Sequence, residues 1–442
     1  MAPERRAGSA EYLASRATVD TSAANAEALR RVSAAQPFLV DVRPAGEIIA
    51  SLAPDELLHA GPPLSGWDEA CGALRGAIIG TLMHLGRAPT AARAEDMAKN
   101  GAVRLMPAND RGALATYAGV IARETMVLVV EDRASGRRTV AALNEGRGKA
   151  LRYGSHDATT MARLKWLEGE FAELLGAALR RANGIDVFHI LGQALHMGDD
   201  GHSRQKAASA LLANALGPFM VEAGLGNAPA ALRFLAQNEI FFLPITMAAA
   251  KCSMLAGEGV PGSTLVTCFA TNGLRFGIKI SGRPDAWWTA PVPIIEGRYF
   301  QGYGPGDANP VIGDSEIAEC FGLGAFAMSA APALSQYVGG SPEAAARLAA
   351  GMYAITLGEH PRFTIPSLSY RGTPFGVDAQ KVVDQKIEPI FNTGIAHRDP
   401  GVGQIGAGLG RVPLACFQRA LEGLGRTSGH IQGQPTEGSE AS

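Results

Sequence analysis

The spacing of apolar residues changes along this chain, and that change most limits the folds open to it. Residues 157–182 carry apolar side chains at every third or fourth position, as in a helix, whereas residues 263–282 alternate and are rich in β-branched residues. Earlier segments such as PFLVDVRPA and ETMVLVVEDR have the pattern of short strands. We therefore predict an α/β fold (mixed α and β), multi-domain, with a helical middle region and glycine-rich active-site loops.

The same patterns give approximate boundaries. We predict a flexible N-terminus over 1–20, an α/β domain over 21–155, a mainly helical region over 156–256, an α/β domain with glycine-rich loops over 257–424, and a disordered tail over 425–442. Asp157 is positioned to cap the first long helix of the middle region, and Gly184 to end it. The tail, GRTSGHIQGQPTEGSEAS, contains no apolar run that would pack on a core.

Composition narrows the class of partner. Of the 442 residues, 40 are basic and 42 acidic, and they are spread along the chain, which argues against a nucleic-acid stripe or a polybasic membrane patch. The sequence contains no run of about 18 apolar residues, the length that a membrane-spanning helix needs. The five cysteines are odd in number, far apart and without a CxxC pair, as in a reduced protein. We predict a cytoplasmic protein that acts on a small molecule, with no nucleic-acid or membrane partner.

A glycine-rich stretch, NTGIAHRDPGVGQIGAG (392–408), has Gly401, Gly403 and Gly406 in the G-x-G-x-x-G spacing of dinucleotide-binding folds. The polar tail that follows has no second parallel strand, so the dinucleotide interpretation fails. What remains is glycine-rich backbone leading into a helix N-terminus beside His397 and Arg398, which would suit a phosphate or another anion. Alternatively, the glycines only allow close backbone packing.

The segment HMGDDGHSR (196–204) concentrates histidine, aspartate and arginine. Two histidines six positions apart do not share a helical face and no H-E-x-x-H pattern is present, so we expect no metal here. His202 and Arg204 would instead bind an anionic substrate, oriented by Asp199 or Asp200. The structural alternative is that Asp200 caps the helix that starts near Ser203.

The loop LNEGRGKALRYG carries Asn144, Glu145 and Lys149. It lacks the G-x-x-x-x-G-K-[ST] spacing of a P-loop, which argues against nucleotide binding by that device. These three side chains form either a polar site for substrate or a solvated turn.

Two further loops contain candidate residues. Asn272 precedes Gly273 in a predicted hairpin turn, although its amide is also a candidate ligand group. The long segment 301–319 carries Asn309 and Asp314, and we expect a loop of this length to be functional. Asp314 or Ser315 is predicted to cap the helix that follows.

These segments together strongly resemble the YahG/YlbE-like family. The blocks LLHAGPP, LNEGRGKALRYG, HMGDDGHSR, LVTCFATNGLRFGIKISG, GYGPGDANPVIGDSEIAECFGLGAFAM and FNTGIAHRDPGVGQIGAGLGRVPLACF occur in the family's order between residues 24 and 424. The resemblance implies a subunit of an oxamate carbamoyltransferase of allantoin (purine) catabolism. That enzyme converts oxalurate and phosphate to oxamate and carbamoyl phosphate and works with an FdrA-like, acyl-CoA-synthetase-like subunit and a third smaller subunit, in a homo- or hetero-oligomer.

The chemistry suggests roles for the candidate residues. Carbamoyl transfer needs donors for phosphate, donors for the carbonyl oxygen and cations for the oxamate carboxylate, and it requires no redox cofactor, since phosphate and carbamoyl phosphate are substrates. We predict catalytic roles for His202, Arg204 and His397. The predicted substrate or phosphate ligands are Arg398, Gly401, Gly403, Gly406, Asn309, Asn392, Asn272, Asn144, Glu145, Lys149 and Asp314.

Two departures from the family pattern keep other functions open. Thr271 stands where relatives often have arginine, and Gln205 replaces a common asparagine. A paralogous carbamoyl- or acyl-transferase for another ureido substrate is therefore one alternative. A non-catalytic scaffold for an FdrA-like partner and a hydrolase of ureido bonds are the others.

Overall fold

The computed structural model describes residues 21–146, 148–336 and 340–431, with side chains up to residue 425. The predicted flexible N-terminus, 1–20, lies outside the described residues. The fold is mixed α and β and multi-domain, as predicted. No described helix combines the length and the hydropathy needed to cross a membrane.

The strands agree with most of the alternating segments of the sequence. They are β1 (Pro37–Pro44), β2 (Glu56–His59), β3 (Arg104–Pro107), β4 (Ala113–Leu114), β5 (Met126–Asp132), β6 (Arg138–Ala142), β7 (Ile185–Asp186), β8 (Val266–Asn272), β9 (Arg275–Ile280), β10 (Arg283–Pro291), β11 (Glu296–Tyr299), β12 (Ile312–Gly313), β13 (Thr356–Ile365), β14 (Arg371–Val377), β15 (Ile390–Ala396) and β16 (Gln404–Arg411).

Most of the pairing between these strands is antiparallel. The largest sheet has the order β4-β6-β5-β1-β7, the next has the order β10-β9-β8-β12, and a third has the order β11-β16-β15. β13 and β14 form a separate hairpin, and β2 and β3 pair in parallel. The predicted hairpin at Asn272-Gly273 is confirmed, since β8 pairs with β9 in antiparallel register, and β5 pairs with β6 in the same way.

Helices cover the segments of helical periodicity and occupy most of the middle region. They are α1 (Ser22–Ser33), α2 (Ala45–Ile48), α3 (Gly72–His84), α4 (Ala91–Lys99), α5 (Ala158–Trp166), α6 (Ala172–Arg181), α7 (Val187–His196), α8 (Lys206–Glu222), α9 (Ala228–Gln237), α10 (Leu243–Ala256), α11 (Ile317–Cys320), α12 (Pro342–Gly351), α13 (Ala379–Gln385) and α14 (Leu414–Ile431).

The long helix predicted after Asp157 forms with one irregular turn. The Asp157 carboxylate accepts a hydrogen bond from the Thr160 backbone N–H at 2.8 Å, so the predicted cap is confirmed. A π-helical turn, Leu167–Phe171, joins α5 to α6, and Gly184 follows α6 in the left-handed conformation, with φ +79°.

Two hydrophobic clusters form the interior. The larger takes side chains from the three predicted regions between residues 21 and 424, including Leu39, Phe171, Phe269 and Phe391. The smaller is built around β2, β3, α3 and the 113–122 segment. Because the middle helices share the larger core with both flanking regions, they pack against the sheets on either side, and the domain boundaries stay predictions.

The glycine-rich stretch forms a β-hairpin and does not lead into a helix. β15 and β16 pair antiparallel, residues 397–403 join them, and α14 begins only after β16 has ended. Gly401 and Gly403 have φ of +86° and +103°, as a tight connection requires. The predicted helix N-terminus was therefore wrong, because the residues after the turn pair as a strand.

Gly406 supports the close-packing alternative. It lies in the middle strand of its sheet, β16, and a Cβ added there would lie 2.5 Å from the backbone oxygen of Arg298 in β11. The segment predicted as a disordered tail is also partly ordered, since α14 continues past Gly425 to Ile431. Each helical residue added to an existing helix gains a backbone hydrogen bond without a new nucleation step. Residues 432–442 lie outside the described part.

Candidate functional site

A cavity of about 180 Å³ lies where segments distant in sequence meet. It is lined by the residues after β4, the loop before α5, the α7–α8 loop, the residues before α10, and parts of β15 and β16. Its polar and charged wall includes Tyr117, Arg152, His202, Arg204, Ser315, Gln404 and the acidic Glu239, which pairs with Lys206 at 2.6 Å. Of the residues predicted to carry function, His202 and Arg204 line this cavity.

His202 is held by a buried carboxylate. Its Nδ1 lies 2.9 Å from Oε1 and 3.0 Å from Oε2 of Glu319, and both side chains are buried. Burial is the largest influence on the pKa of His202 and lowers it, but the charge and hydrogen bond of Glu319, with smaller contributions from Glu316 and Asp200, together raise the pKa to about 9. With Nδ1 engaged, Nε2 is the ring nitrogen left for a ligand, and the ring carries a positive charge at neutral pH.

Two aspartates shape the loop that carries His202. Asp200 accepts hydrogen bonds at Oδ1 from the backbone N–H groups of His202 (3.0 Å) and Arg204 (2.9 Å), and at Oδ2 from the Asn392 amide (2.7 Å). Asp199 accepts from the Ala208 backbone N–H in the first turn of α8 at 2.9 Å. The predicted cap by Asp200 was wrong, because α8 begins at Lys206 and not near Ser203; the carboxylate that accepts from the first turn of α8 is Asp199.

Arg204 reaches the cavity from the same loop. Its Nε lies 3.6 Å from Asp199 Oδ1, and its side chain is about one-third exposed, at 34%. Burial raises the pKa of Asp199 to about 7. Asp200 thus fixes the loop backbone and Asp199 lies beside the guanidinium, and their role in orienting a substrate ligand stays a prediction.

Arg152 is a cation that the sequence did not single out. It is buried, at 5% exposure, and its guanidinium donates to the backbone oxygen of Gly146 at 2.6 Å and to Asn144 Oδ1 at 3.5 Å. It also lies over the Tyr153 ring, 4.5 Å from the ring centre. A cation fixed in this way is ready to bind an anion without further ordering.

Asn144 and Glu145 support Arg152 and do not line the cavity. Asn144 donates to the backbone oxygen of Ile240 at 3.0 Å, and Glu145 accepts from the backbone N–H groups of Leu151 (2.8 Å) and Arg152 (3.2 Å). Burial raises the pKa of Glu145. Lys149, predicted beside them, is exposed and lies 3.4 Å from the Asp157 carboxylate, as in a solvated turn.

The remaining asparagines differ in their distance from the cavity. Asn392 is buried directly behind it, and its Oδ1 accepts from Ser203, a lining residue, at 2.6 Å. The Asn272 side chain accepts from the Arg275 backbone N–H of its own turn and donates to the Pro62 backbone oxygen. Asn309 donates to the Pro310 backbone oxygen. Neither of these two lines the cavity.

Asp314 ties three backbone segments together. Its carboxylate is fully buried and accepts from the Gly61 N–H (2.9 Å), the Asn109 amide (2.9 Å) and the Ala115 N–H (2.8 Å). The predicted helix cap by Asp314 or Ser315 was wrong, because Glu316 is the residue before α11 and no side chain in the described part of the chain caps that helix. Burial raises the pKa of Asp314 to about 7.

The hairpin loop with His397 and Arg398 lies outside the cavity lining. The His397 backbone N–H donates to Gly403 at 2.9 Å, and its Nδ1 accepts from the Asp399 N–H at 2.9 Å. Arg398 is exposed. The Gly401 N–H donates to the Tyr153 backbone oxygen, so the loop packs on the segment that carries Arg152. Binding of phosphate by this loop stays a prediction.

Thr271 and Gln205, the two departures from the family pattern, are both buried. Thr271 lies in β8, where it pairs with Phe276 of β9 and Gly313 of β12. Its hydroxyl donates to the Gly313 backbone oxygen at 3.4 Å, outside the cavity lining. Gln205 donates to Thr246 at 3.2 Å behind the α7–α8 loop. Neither residue lines the cavity.

Two carboxyl groups at α11, Glu319 within it and Glu316 directly before it, were not predicted from the sequence. Glu319 and Glu316 are both fully buried, and neither carboxyl oxygen of Glu316 has a hydrogen-bond partner within the described residues. Burial raises the pKa of Glu316 to about 8, so it is protonated at neutral pH. The sequence signal available was the spacing of three residues between these two glutamates in an apolar segment. This spacing does not show that His202 is the partner of Glu319. Within the described ranges, no group of three or more His, Cys, Asp or Glu side chains is arranged to hold a metal ion.

Comparison with known proteins gives the family. The model of the family described as oxamate carbamoyltransferase subunit AllG matches residues 103–315. The oxamate carbamoyltransferase subunit AllG of Escherichia coli (strain K12) is 39% identical over 411 residues, which are 92% of this chain and 98% of that protein. The chain belongs to the YahG/AllG family.

Two further relatives agree with this assignment. The uncharacterized protein YahG of Escherichia coli (strain K12) is 37% identical over 404 residues, covering 91% of this chain and 85% of YahG. The crystal structure of a conserved protein of unknown function from Enterococcus faecalis V583 superimposes with a TM-score of 0.90 at 38% identity, over 92% of this chain and 98% of that one. The predicted family and fold class are confirmed.

Proposed function

We propose that this chain is the subunit of an oxamate carbamoyltransferase-type complex that carries the site of carbamoyl transfer. The reaction joins phosphate and oxalurate to give carbamoyl phosphate and oxamate, or runs in reverse. The observation that carries the proposal is the convergence of Arg152, His202 and Arg204 on one small cavity. Membership of a family with a member named as such a subunit supports it.

Charge suits this cavity to small anions. Oxalurate, oxamate and phosphate are all anionic, and a cavity wall with two guanidinium groups and a protonated imidazole offers planar and point-charge donors. Arg152 is the more rigid of the two arginines because backbone and side-chain acceptors already hold it. We assign Arg152 and Arg204 to the oxamate carboxylate and the phosphate.

His202 supplies the proton that the leaving group needs. A phosphate oxygen attacks the terminal carbamoyl carbon of oxalurate, and the C=O electrons move to oxygen. The intermediate then collapses, the bond from that carbon to the inner nitrogen breaks, and the nitrogen takes a proton from His202 Nε2. The proton of the attacking hydrogen phosphate restores His202, so the products are carbamoyl phosphate and oxamate. Glu319 orients the ring and keeps it protonated for this step.

Partners complete the assembly. We propose that the chain works with an FdrA-like subunit and a third smaller subunit in the cytoplasm, which fits the word "subunit" in the name of its relative. In this scheme carbamoyl phosphate and phosphate are substrates and no redox cofactor takes part.

The test is carbamoyl phosphate formation from oxalurate and phosphate by the three co-purified proteins, with each omitted in turn. Loss of the reaction without this chain supports the proposal. Full turnover by the other two subunits alone would refute it and favour the scaffold function. Ammonia release from oxalurate that does not depend on phosphate would favour the hydrolase.

A further inference from the structure

Tyr117 is a lining residue with an uncommon backbone conformation. It is buried, at 7% exposure, and its φ is +55°, in the left-handed region that residues other than glycine, asparagine and aspartate rarely occupy. Such a conformation persists only where the surrounding structure enforces it, and it is found preferentially at functional sites.

The chain on both sides of Tyr117 is fixed. The Ala115 N–H donates to the buried Asp314 carboxylate at 2.8 Å, and the Ala118 N–H donates to the Arg152 backbone oxygen at 3.1 Å. The Tyr153 ring packs edge-on against the Tyr117 ring, with centres 4.9 Å apart. These contacts hold the strained residue in position and connect it to the segment that carries Arg152.

The Tyr117 hydroxyl is held in place by a hydrogen bond that it accepts. It accepts a hydrogen bond from the Ala396 backbone N–H at 2.9 Å, and within the described residues no acceptor takes the phenolic hydrogen. Accepting one hydrogen bond makes a hydroxyl a better donor of the next. Burial raises the pKa of Tyr117 well above its usual range, so the hydrogen stays on the oxygen at any pH at which the protein works.

We propose that the Tyr117 hydroxyl donates a hydrogen bond to the carbonyl oxygen of the carbamoyl group and stabilises the negative charge that develops there. This inference rests on the proposed function and adds to it an oxyanion donor. The donor is neutral, held by a backbone N–H and aimed by a strained residue, so it needs little rearrangement as the charge forms. His202 is then free to act on the nitrogen.

The experiment is Tyr117→Phe in the complete complex, which removes the hydroxyl and keeps the ring. Removing a donor of this kind lowers kcat by about 100-fold or more. KM for oxalurate is expected to stay within about threefold, because the lost interaction belongs to the transition state. Tyr353→Phe is the matched control, since the Tyr353 hydroxyl donates to the Gly372 backbone oxygen at 2.6 Å outside the cavity.

Separate outcomes distinguish this inference from the function on which it rests. A wild-type complex that makes no carbamoyl phosphate refutes the proposed function, and the role of Tyr117 with it. An active wild type beside a Tyr117→Phe complex of unchanged kcat overturns the role of Tyr117 alone. A raised KM at unchanged kcat also overturns it, because the hydroxyl would then bind only the ground state.

A second substitution separates donation from packing. A fluorinated tyrosine incorporated in place of Tyr117 keeps the ring and the hydroxyl but makes the hydroxyl more acidic. We expect this protein to retain kcat near the wild-type value while Tyr117→Phe loses it, with equal melting temperatures. If both variants lose kcat to the same extent although only one lacks the hydroxyl, the loss does not follow the hydroxyl, and the inference is wrong.

Discussion

Replacing Glu319 by glutamine removes the charge that keeps His202 protonated and keeps a side chain of the same size. The amide oxygen can still accept from the Ala325 and Asn392 backbone N–H groups, which Glu319 Oε1 now holds at 3.0 and 3.2 Å. The amide NH₂ would face His202 Nδ1. The fold around the site is therefore expected to persist.

The magnitude follows from the balance of burial and charge at His202. Burial is the largest influence on its pKa and lowers it, and Glu319 supplies the main opposing effects that raise the pKa to about 9. Without that charge we expect the pKa to fall below 6.5, the ordinary value for histidine. The change corresponds to about 3 kcal/mol of stabilisation of the protonated ring. At pH 8 the protonated fraction falls about 30-fold, and the rate of a step that needs the proton falls with it.

Two assays report this change directly. Side-chain nitrogen NMR follows the titration of His202 in wild type and in Glu319→Gln, and kcat/KM is measured from pH 5.5 to about 9.5 in the complex. The alkaline limb of the wild-type profile is expected near pH 9, since activity needs the protonated ring and is lost as pH rises through its pKa. In the variant this limb moves below about pH 6.5.

Glu168→Gln is the matched control. Glu168 lies 3.1 Å from His84 Nε2 and raises the pKa of that histidine, in a partly buried pair outside the cavity lining. We expect it to change the titration of His84 and to leave the pH profile of activity unchanged. If His202 titrates near pH 9 in both wild type and Glu319→Gln, the assigned role of Glu319 is refuted.

Three other predictions test the cavity and its surroundings. Arg152→Met and Arg204→Met are each expected to raise KM for oxalurate or phosphate about 10- to 100-fold, since each removes a charge-assisted contact, and unchanged KM values would exclude the assigned anion site. Glu316→Gln is expected to stabilise the protein at pH 9 by a few kcal/mol but not at pH 5. Folding raises the pKa of the Glu316 carboxyl to about 8. Its contribution to the free energy of unfolding is therefore complete below about pH 4.5 and is lost as pH rises through 8. Urea titrations in which Glu316→Gln changes the free energy of unfolding equally at pH 5 and pH 9 would contradict this. Gly406→Ala is expected to lower the unfolding free energy by about 1–3 kcal/mol, because the added Cβ meets a backbone oxygen. Gly306→Ala is the control, since a Cβ there meets no atom of the described residues within 4 Å. A stable Gly406→Ala protein with a raised KM for phosphate would favour the phosphate-binding loop instead.

Local signals predicted much of the secondary structure. The alternation of β8 and β9, the Asn272-Gly273 turn and the cap at Asp157 depend on neighbours within a few residues, so one sequence contains what is needed to predict them. The helix N-terminus predicted for the glycine-rich stretch 392–408 was wrong, because the glycine spacing fits a helix N-terminus and a β-hairpin equally well. Which of the two forms depends on pairing with β11 and β15, which are separate in sequence.

The site was predictable only in part for the same reason. His202 and Arg204 stood out as charged residues in a short loop, and both line the cavity. Glu319 is 117 residues away from His202, and no local pattern connects them. Arg152 lies in the same loop as Lys149, yet only the fold shows which of the two cations is buried. Buried partners such as Glu319 are visible only once the chain has folded.

The most direct test of the central claim is a crystal structure of the complex with oxamate and phosphate bound. The account predicts both ligands in the cavity, within hydrogen-bonding distance of Arg152 and Arg204, and the oxamate nitrogen beside His202. Ligands bound instead at the 397–403 loop, or on another subunit with this cavity empty, would contradict it.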